Sequence, residues 1–388
     1  MKAVRSSDKK LIIWILTVVI SAVLIIAGNR IVKGDVHILD QYDLTARAKV
    51  IELTRLEEED LPDVNLYSQT QFFTAKLLSG SSKGQIVESN QHRDSYTDTG
   101  ERFVKEGDIV ILYNYAYESG GSQWVFGNFA RFDYIIVLGA VFFLLILIFG
   151  RGKGVNTIIS LAFTCMAVFF VFIPGVLAGR NIYLLTILIC AFTIVMTLIL
   201  TNGTSQKSFT TMLGCSFGVL AAAVISIISD RVMHLTGFTD EHSVYLQVMG
   251  ENGTPIDLRA LVFSMITIGA LGAVMDVAMD IASSLYEVKR HAPAISSGEL
   301  FRSGLNIGRD VMGTMANTLI LAYIGSSLCS VLLKVTFAGS VMQLINTEGM
   351  IVELLNALIG SMAILLTMPL TALVCCFMYR GGGRHANN

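Results

Sequence analysis

The chain has little charge and little proline for its length. Of its 388 residues, 15% are charged and only 5 are proline, whereas a soluble domain usually carries about 25% charged residues. A shortage of charge on this scale excludes an ordinary soluble globule. The net charge of -2 excludes a strongly basic nucleic-acid binder, and the scarcity of proline argues against a disordered tail. The composition therefore predicts a membrane protein with a soluble part.

Recognised motifs of enzymes and metal sites are also missing. The sequence contains no G-x-S-x-G, H-E-x-x-H or Walker motif, so no nucleophile, zinc-binding helix or phosphate loop is indicated. All six cysteines fall in apolar runs, where cysteine usually serves as a small apolar side chain. The histidines and carboxylates between residues 230 and 257 match no metal-ligand spacing. We therefore expect no enzyme activity, no cofactor and no metal.

Eight apolar runs are candidates for membrane-spanning helices, each of which needs about 20 mostly apolar residues. They are Leu11 to Ala27, Tyr134 to Phe149, Val155 to Ala178, Ile182 to Leu200, Phe209 to Ser229, Leu261 to Met279, Val311 to Val335 and Ile351 to Tyr379. The first run follows a basic segment, so a cleaved signal peptide is an alternative to an anchor. We favour an anchor because Ile25 stands where a cleavage site before residue 28 would need a small side chain.

The basic residues predict the orientation, because short cytoplasmic loops are enriched in Lys and Arg. With both termini in the cytoplasm, thirteen Lys and Arg residues lie inside and four lie in the short outer loops. We predict an α-helical integral membrane bundle of about eight transmembrane helices, with a small extracytoplasmic β-barrel-like domain after the first helix. Its predicted parts are an anchor (1–27), the outer domain (28–132), a seven-helix membrane domain (133–380) and a cytoplasmic tail (381–388).

The segment between the first two runs is polar and acidic, with sixteen Asp or Glu against eleven Lys or Arg. Apolar and polar residues alternate in five stretches bounded by turn-forming residues, which is typical of short strands. The stretches are Ala46 to Leu53, Phe73 to Leu78, Gln85 to Glu88, Ile109 to Tyr115 and Trp124 to Phe129. We expect a barrel of five or six strands that does not bind nucleic acid, since it lacks a basic stripe. The acidic run Glu57 to Asp60 is expected to be a solvated loop.

The most informative segment of the membrane part lies in the sixth run and just after it. Small and polar residues recur there every three or four positions, which places them on one face of a helix. They are Gly269, Gly272, Ala273, Asp276, Asp280, Ser283, Ser284 and Glu287. The small residues at the start favour close helix packing. An ionised carboxylate facing lipid at mid-helix costs roughly 2.5 kcal/mol or more, so Asp276 should face the protein interior or water.

The seventh run supplies polar partners for this stripe. Asn306, Asp310, Gly313 and Asn317 lie on one side at helical spacing, and Asn317 is well inside the apolar run. Gly313 is a further candidate for close helix packing. Because the two runs are consecutive, we expect their helices to be in contact. Asp276 and Asn317 would then line a path for an ion or small molecule, with Asp280, Ser283, Ser284 and Asp310 as further candidates. The alternative is a purely structural hydrogen bond or ion pair near the basic loop that follows.

Glycine pairs indicate further close contacts between helices. Gly214 and Gly218, and likewise Gly304 and Gly308, are each four residues apart, which lets a second helix approach closely.

The sequence resembles the YibE/F family of bacterial multi-spanning membrane proteins. The resemblance is carried by Gly272-Ala-Val-Met-Asp276-Val-Ala-Met-Asp280-Ile-Ala-Ser283-Ser284, by Glu287, and by Met315-Ala-Asn317-Thr318-Leu-Ile-Leu-Ala-Tyr323-Ile-Gly325. The phrase Gly154-Val-Asn156 fits as well, and the resemblance extends over roughly residues 130 to 380. It implies a bacterial plasma membrane and a permease-like protein, without a substrate or a mechanism.

Two functions are compatible with these observations. The first is a permease or transporter-like protein with a polar path between the sixth and seventh helices, where protonation of Asp276 would couple transport. The second is a non-transporting assembly or scaffold protein whose outer domain binds an envelope partner. The expected partners are the lipid bilayer, an ion or small-molecule substrate, and either an envelope protein or a second copy of the chain.

Overall fold

The computed structural model describes residues 2–32, 45–61, 66–94, 102–116, 122–248 and 256–379. The chain divides into two compact units. One comprises residues 1–36 and 146–388, and the other comprises residues 37–145. The predicted cytoplasmic tail, 381–388, lies outside the described residues.

The second unit contains a closed barrel of five described strands. They are β1 (Thr45–Leu61), β2 (Leu66–Leu77), β3 (Ile86–Asp94), β4 (Ile109–Ala116) and β5 (Ser122–Phe129). Their order around the barrel is β1-β2-β3-β5-β4. All pairs are antiparallel except β3 with β5, which is parallel. The prediction of a small barrel from five alternating stretches is therefore confirmed.

The barrel core follows from that alternation, since inward side chains repeat every second residue. Ala46, Ala48 and Val50 of β1 are buried with Phe73 of β2 and Leu112 of β4. The chain turns between Gly80 and Gly84, both of which have positive φ, as the run of small residues predicts.

The expectation of a solvated loop at Glu57 to Asp60 is wrong. These residues continue β1, and Glu57 pairs with Thr70 of β2. The backbone ladder of the long hairpin outweighs the low strand propensity of glutamate. Glu58 accepts a hydrogen bond from Gln69 across the hairpin at 3.0 Å, and the Glu57 side chain is exposed.

The first unit is built from helices, and the helix that opens at Phe132 leads into it. The bounds are α1 (Lys2–Val32), α2 (Phe132–Ala167), α3 (Ile173–Leu177), α4 (Ile182–Asn202), α5 (Gln206–Met233), α6 (Glu241–Val248), α7 (Leu258–His291), α8 (Ser297–Phe337), α9 (Val341–Asn346) and α10 (Glu348–Met378). A π-helical turn, Val168–Phe172, joins α2 to α3. Seven segments in the described ranges are long and apolar enough to cross a membrane, counting residues 132–177 as one.

That segment corresponds to two of the eight predicted spans, and it is broken between them. Arg151 has φ 48° and ψ -130°, which no helix accommodates. The chain folds back at this point, because a Cβ on Gly154 would collide with the Ile146 carbonyl oxygen, which is eight residues earlier. The break falls between the predicted ends at Phe149 and Val155. Two apolar helices joined by a tight turn therefore account for the count of eight.

The first helix packs into the helical unit. Ile25 and Val32 are buried beside Phe172 and neighbouring residues, and Val171 lies against Gly28. Trp14 donates its ring N–H to the Asn156 side chain at 2.9 Å. These contacts are those of a helix that belongs to the bundle, and they give Asn156 a partner in another helix.

The centre of the bundle is α7, which packs against α5 and α10 extensively and against α4 and α8 to a smaller extent. Ala270, Val274 and Ala278 are fully buried on its inner face. Thr186 of α4 and Ser264 of α7 share a hydrogen bond of 2.6 Å. The small side chains bring the helices close, as expected where small residues line an interface.

Candidate functional site

The proposed site lies on α7, whose two faces differ sharply. The helix begins at the cap residue Asp257, whose carboxylate accepts from the Ala260 backbone N–H at 3.1 Å. One face contributes Val274, Val277 and Ile281 to the core. The opposite face carries the predicted polar stripe, so the amphipathic pattern of the sequence matches the packing.

The stripe points away from the rest of the chain. Its exposed members are Gly269, Gly272, Asp276, Asp280 and Glu287, while Ala273, Ser283 and Ser284 are half-buried. The sequence left two environments open for Asp276, the protein interior or water. The structure does not enclose Asp276 in the interior of its own chain. With the other described residues, neither Asp276 nor Asp280 forms an ion pair within 4.0 Å or a hydrogen bond. Ser283 contacts the Met279 sulfur at 3.5 Å.

Glu287 at the end of the stripe has partners on its own helix. Its carboxylate forms an ion pair with Arg290 at 2.8 Å and lies 3.8 Å from His291. All three side chains are more than half exposed. Glu287 therefore belongs to a solvated helix end and not to the group of unpaired carboxylates.

The neighbouring helix α8 begins with a capping box, in which Ser296 and Glu299 exchange side-chain and backbone hydrogen bonds. The backbone N–H of Ser296 donates to the Glu299 carboxylate and lowers its pKa. Two glycines then dock the helix. Gly304 lies against Ala372 of α10, where a Cβ would stand 2.8 Å from the Ala372 side chain, and Gly308 lies against Met368.

Docking through these glycines turns the polar side of α8 outward. Asn306, Asp310, Gly313 and Asn317 are all exposed, and so is the apolar Leu321 that continues their line. Asn317 is therefore not hydrogen-bonded to a neighbouring helix among the described residues. The prediction that these residues share one side is confirmed by the continuous helix α8, in which they recur at helical spacing. Exposure does not single this side out, because Arg309, Thr314 and Thr318 are exposed as well.

Two contacts fix the register of α7 against α8. The Tyr323 hydroxyl lies directly over Gly269, and Leu285 lies beside Gly304. The two helices are antiparallel, so interpolation between these contacts places Asp280 level with Arg309 and Asp310. It places Asp276 in depth between Gly313 and Asn317. The structure shows no hydrogen bond between Asp276 and Asn317, so their sequence-based pairing stays a prediction.

The space beside the two helices is open. A Cβ built on Gly272 or on Gly313 would meet no heavy atom of the described residues within 4 Å. The close helix packing predicted at these two glycines is therefore not found among the described residues, whereas Gly269 does pack, against Tyr323. The result is an open seam, which we define as the exposed faces of α7 from Gly269 to Asp280 and of α8 from Asn306 to Asn317. It is polar and is bounded at one end by Tyr323.

Sequence reasoning missed Tyr323 as the residue that closes this end. The sequence did contain a signal for it. Tyr323 stands among apolar residues of the seventh run, and a buried tyrosine hydroxyl needs space or a partner beside a neighbouring helix. Tyr323 accepts from Ser327 through its carbonyl at 2.6 Å, while its hydroxyl fills the gap over Gly269.

Four buried polar atoms in the bundle were also missed. The side-chain oxygens of Thr193, Thr267, Asn356 and Thr371 have no hydrogen-bond partner among the described residues. Asn356 is 4% exposed and sits within the apolar run of α10. In the sequence, the only indication of this buried group was that Asn356 is a polar residue inside an apolar run.

The loop that carries histidines and carboxylates has structural roles where it is described. Asp240 accepts from the Ser243 backbone N–H at 2.9 Å and from the Ser243 hydroxyl at 2.8 Å, at the start of α6. Although desolvation opposes it, this hydrogen bonding leaves the pKa of Asp240 lowered. Glu251 lies outside the described residues. In the described ranges, no three His, Cys, Asp or Glu side chains are grouped as metal ligands would be.

The barrel unit has a cavity of its own, of about 720 Å³. It is lined by Arg102, Asp108, Phe129, Arg131 and Tyr134, among others. Arg102 is held there by an ion pair to Asp108 at 2.6 Å and by stacking on Phe129 at 4.7 Å. Arg102 therefore braces the wall of the cavity. The charges of Arg102 and Arg131 are balanced by Asp108 and Asp133, which also line it.

Comparison with known proteins gives the family of the chain. Neither the curated proteins nor the solved structures include a match to it. A family model described as YibE/F-like protein matches residues 138–381, which is more than half of the chain and contains both helices of the open seam. The chain belongs to the YibE/F family.

Proposed function

We propose that the protein is an integral membrane permease that moves an ion or small solute along the open seam between α7 and α8. The proposal rests on the carboxylates of Asp276 and Asp280, which are exposed on α7 and have no ion-pair partner among the described residues. Carboxylates within membrane-spanning helices are rare, and they commonly mark ion or proton pathways.

The free-energy cost of placing these carboxylates in hydrocarbon supports a seam that is filled with water. In hydrocarbon, an ionised Asp at mid-helix costs roughly 2.5 kcal/mol or more, and no described residue compensates it. Asn317 adds an amide, which offers both donors and an acceptor at nearly the same depth. Water or a polar solute in the seam satisfies these groups, whereas lipid chains do not.

Asp276 has the chemistry needed for coupling. Its carboxyl exchanges a proton with water in the seam and carries charge only when deprotonated. A cation bound beside Asn317 favours the charged form, and an empty seam favours the neutral form. Movement of the solute and of the proton is thereby linked through one side chain.

The orientation follows from the basic residues. The thirteen Lys and Arg residues of the ends and inner loops support an orientation in a bacterial plasma membrane with both termini in the cytoplasm. The barrel then lies outside the cytoplasm.

Reconstituted protein tests this function. Wild-type chain in liposomes, with a potassium diffusion potential and an entrapped pH dye, should conduct protons. The Asp276→Asn variant keeps the shape of the side chain and should lower the flux at least about tenfold, since it removes the titrating group. Glu287→Gln on the same helix is the matched control and should keep wild-type flux. Equal flux in wild type and Asp276→Asn contradicts the coupling role.

The second candidate is a scaffold whose barrel binds an envelope partner. It is favoured by the 720 Å³ cavity beside Phe129 and Arg131, which is large enough for part of a partner molecule. In that case, Asp276→Asn should lower the yield of folded protein while no flux depends on it. Arg131→Ala should abolish capture of the partner by the full chain.

A further inference from the structure

The open seam is only half enclosed by its own chain, which raises the question of what covers the other half. Its members are exposed on both helices, and Gly272 and Gly313 border empty space. In the apolar 18-residue stretch of α8, only 6% of the residues are buried against the rest of the chain. A bilayer around a single copy would place lipid against Asp276, Asp280 and Asn317.

We infer that a second copy of this chain covers the seam, through a two-fold axis along the membrane normal. The inference deepens the proposed permease function and rests on the membrane insertion assumed there. Each copy would lay its α8 against the α7 of the other. The path is then incomplete in one chain and is closed by the partner.

Charge complementarity carries this inference. The exposed face of α7 is acidic at Asp276 and Asp280, while α8 presents the exposed basic residues Arg302 and Arg309. Arg309 lies level with Asp280, and its only described contact is a weak hydrogen bond of 3.4 Å to Asn306. Asp310, at the same depth, is about 100° further round the helix than Arg309 and lies on the line of Asn306 and Asn317, so a contact with Asp280 involves only one of the two charges.

Symmetry preserves this match. All copies are inserted in the same direction, so a two-fold axis along the membrane normal keeps every residue at its depth. Asp280 of one copy is then level with both Arg309 and Asp310 of the other. We place Arg309 in the contact, because that pairing joins opposite charges, and the same contact occurs twice. The open space at Gly272 and Gly313 lets the helices approach at the level of Asp276.

The alternative that the charge pair forms within one chain is distinguishable by mixing variants. Asp280→Arg alone places two cations together, and Arg309→Asp alone places two anions together. Co-expression of the two variants gives a mixed dimer in which both contacts are again of opposite charge. An intrachain pair cannot be restored in this way.

The measurement uses full-length chains with two different tags, co-expressed and captured from membranes through one tag. Wild type should co-purify with wild type, and each variant should co-purify with itself about tenfold less, which corresponds to a loss near 1.4 kcal/mol. The mixture of Asp280→Arg with Arg309→Asp should return to the wild-type level. Arg231→Asp, at the exposed end of α5, should have no effect.

Cysteine crosslinking gives a second readout that does not disturb the charges. In a Cys165→Ala/Cys329→Ala background, one copy carries Gly272→Cys and the other carries Asn317→Cys. Both positions are exposed, so the folded chain should tolerate them. Oxidation should link the differently tagged copies, while Leu188→Cys copies on α4 should stay unlinked.

Two results overturn the inference. One is the absence of a crosslink between the Gly272→Cys and Asn317→Cys copies, and the other is a mixture that co-purifies no better than the single variants. Co-purification and crosslinking both report dimerisation without a flux measurement, so the two proposals are tested separately. A loss of flux in Asp276→Asn with no dimer would leave the permease function standing and remove this inference alone.

Discussion

At the scale of single residues, glycines set the spacing of the helices. Gly214 and Gly218 of α5 lie against Thr371 and Thr367 of α10, which confirms the close packing predicted from their spacing. A Cβ on Gly218 would collide with the Thr367 hydroxyl oxygen and stand 2.8 Å from Val274. Both neighbours lie in tightly packed helices and have little room to move.

Gly218→Ala should therefore destabilise the protein by about 2 kcal/mol, because overpacking a full core forces side chains and backbone apart. The measurement is denaturant unfolding of the full chain in detergent micelles. Gly325→Ala on α8 is the matched control, since a Cβ there meets no described heavy atom within 4 Å. The two variants should differ clearly, and equal unfolding curves would contradict the packing described.

A second residue-scale prediction concerns acid. Arg102 donates two hydrogen bonds to the Asp108 carboxylate, at 2.6 and 2.9 Å, and this pairing holds the pKa of Asp108 below its ordinary value. Because the folded-state pKa is lowered, the carboxylate stabilises the barrel at neutral pH. That contribution is lost as the pH falls through the lowered pKa, below about pH 4.

Asp108→Asn should lower the stability of the barrel by about 1 kcal/mol at pH 7. The expected effect is small because the ion pair is partly exposed to solvent. At pH 3 the difference from wild type should shrink. Hydrogen exchange of strand β4 in the full chain reports both values. Identical protection of β4 in wild type and variant at pH 7 would show that the pair contributes nothing.

At the scale of elements, the turn inside α2 decides whether the described chain has seven or eight segments that are long and apolar enough to cross a membrane. Arg151 takes a positive φ, and Gly154 stacks on the Ile146 carbonyl. A side chain at 154 would block the return of the second helix. The requirement for glycine is therefore steric and specific to this position.

Gly154→Val should lower stability by about 2 kcal/mol or prevent folding, since valine cannot fit against the Ile146 backbone. Gly150→Val lies one turn earlier, where the nearest atom is the Ile146 side chain at 4.0 Å, and it serves as the control. Thermal unfolding in detergent measures both variants. A tolerated Gly154→Val would mean that residues 132–167 form one continuous helix.

The elements differ in how far the sequence predicts them. The strands were predictable because inward and outward residues alternate, as in Ala46, Ala48 and Val50. The extension of β1 through Glu57 was not, since its cause is pairing with β2 and not local propensity. The helices were predictable from length and hydropathy alone, because a bilayer leaves few other structures possible.

At the scale of the whole molecule, the site was predicted in part. The stripe on α7 and the matching line on α8 follow from helical periodicity, and both are found on single faces. What the sequence does not contain is the register between helices, which depends on contacts such as Tyr323 with Gly269. Periodicity also does not distinguish a polar face that points inward from one that points outward, so the exposure of Asp276 could be established only from the structure.

The central claim is that the open seam faces water and not lipid, and the reactivity of a cysteine at Asn317 tests it most directly. In the Cys165→Ala/Cys329→Ala background, Asn317→Cys in native membranes is treated with a charged methanethiosulfonate. The reagent needs a hydrated thiolate. The account predicts modification at least about tenfold faster than at Leu188→Cys, which is 55% exposed on the apolar face of α4. Equal, slow modification at both positions would contradict it.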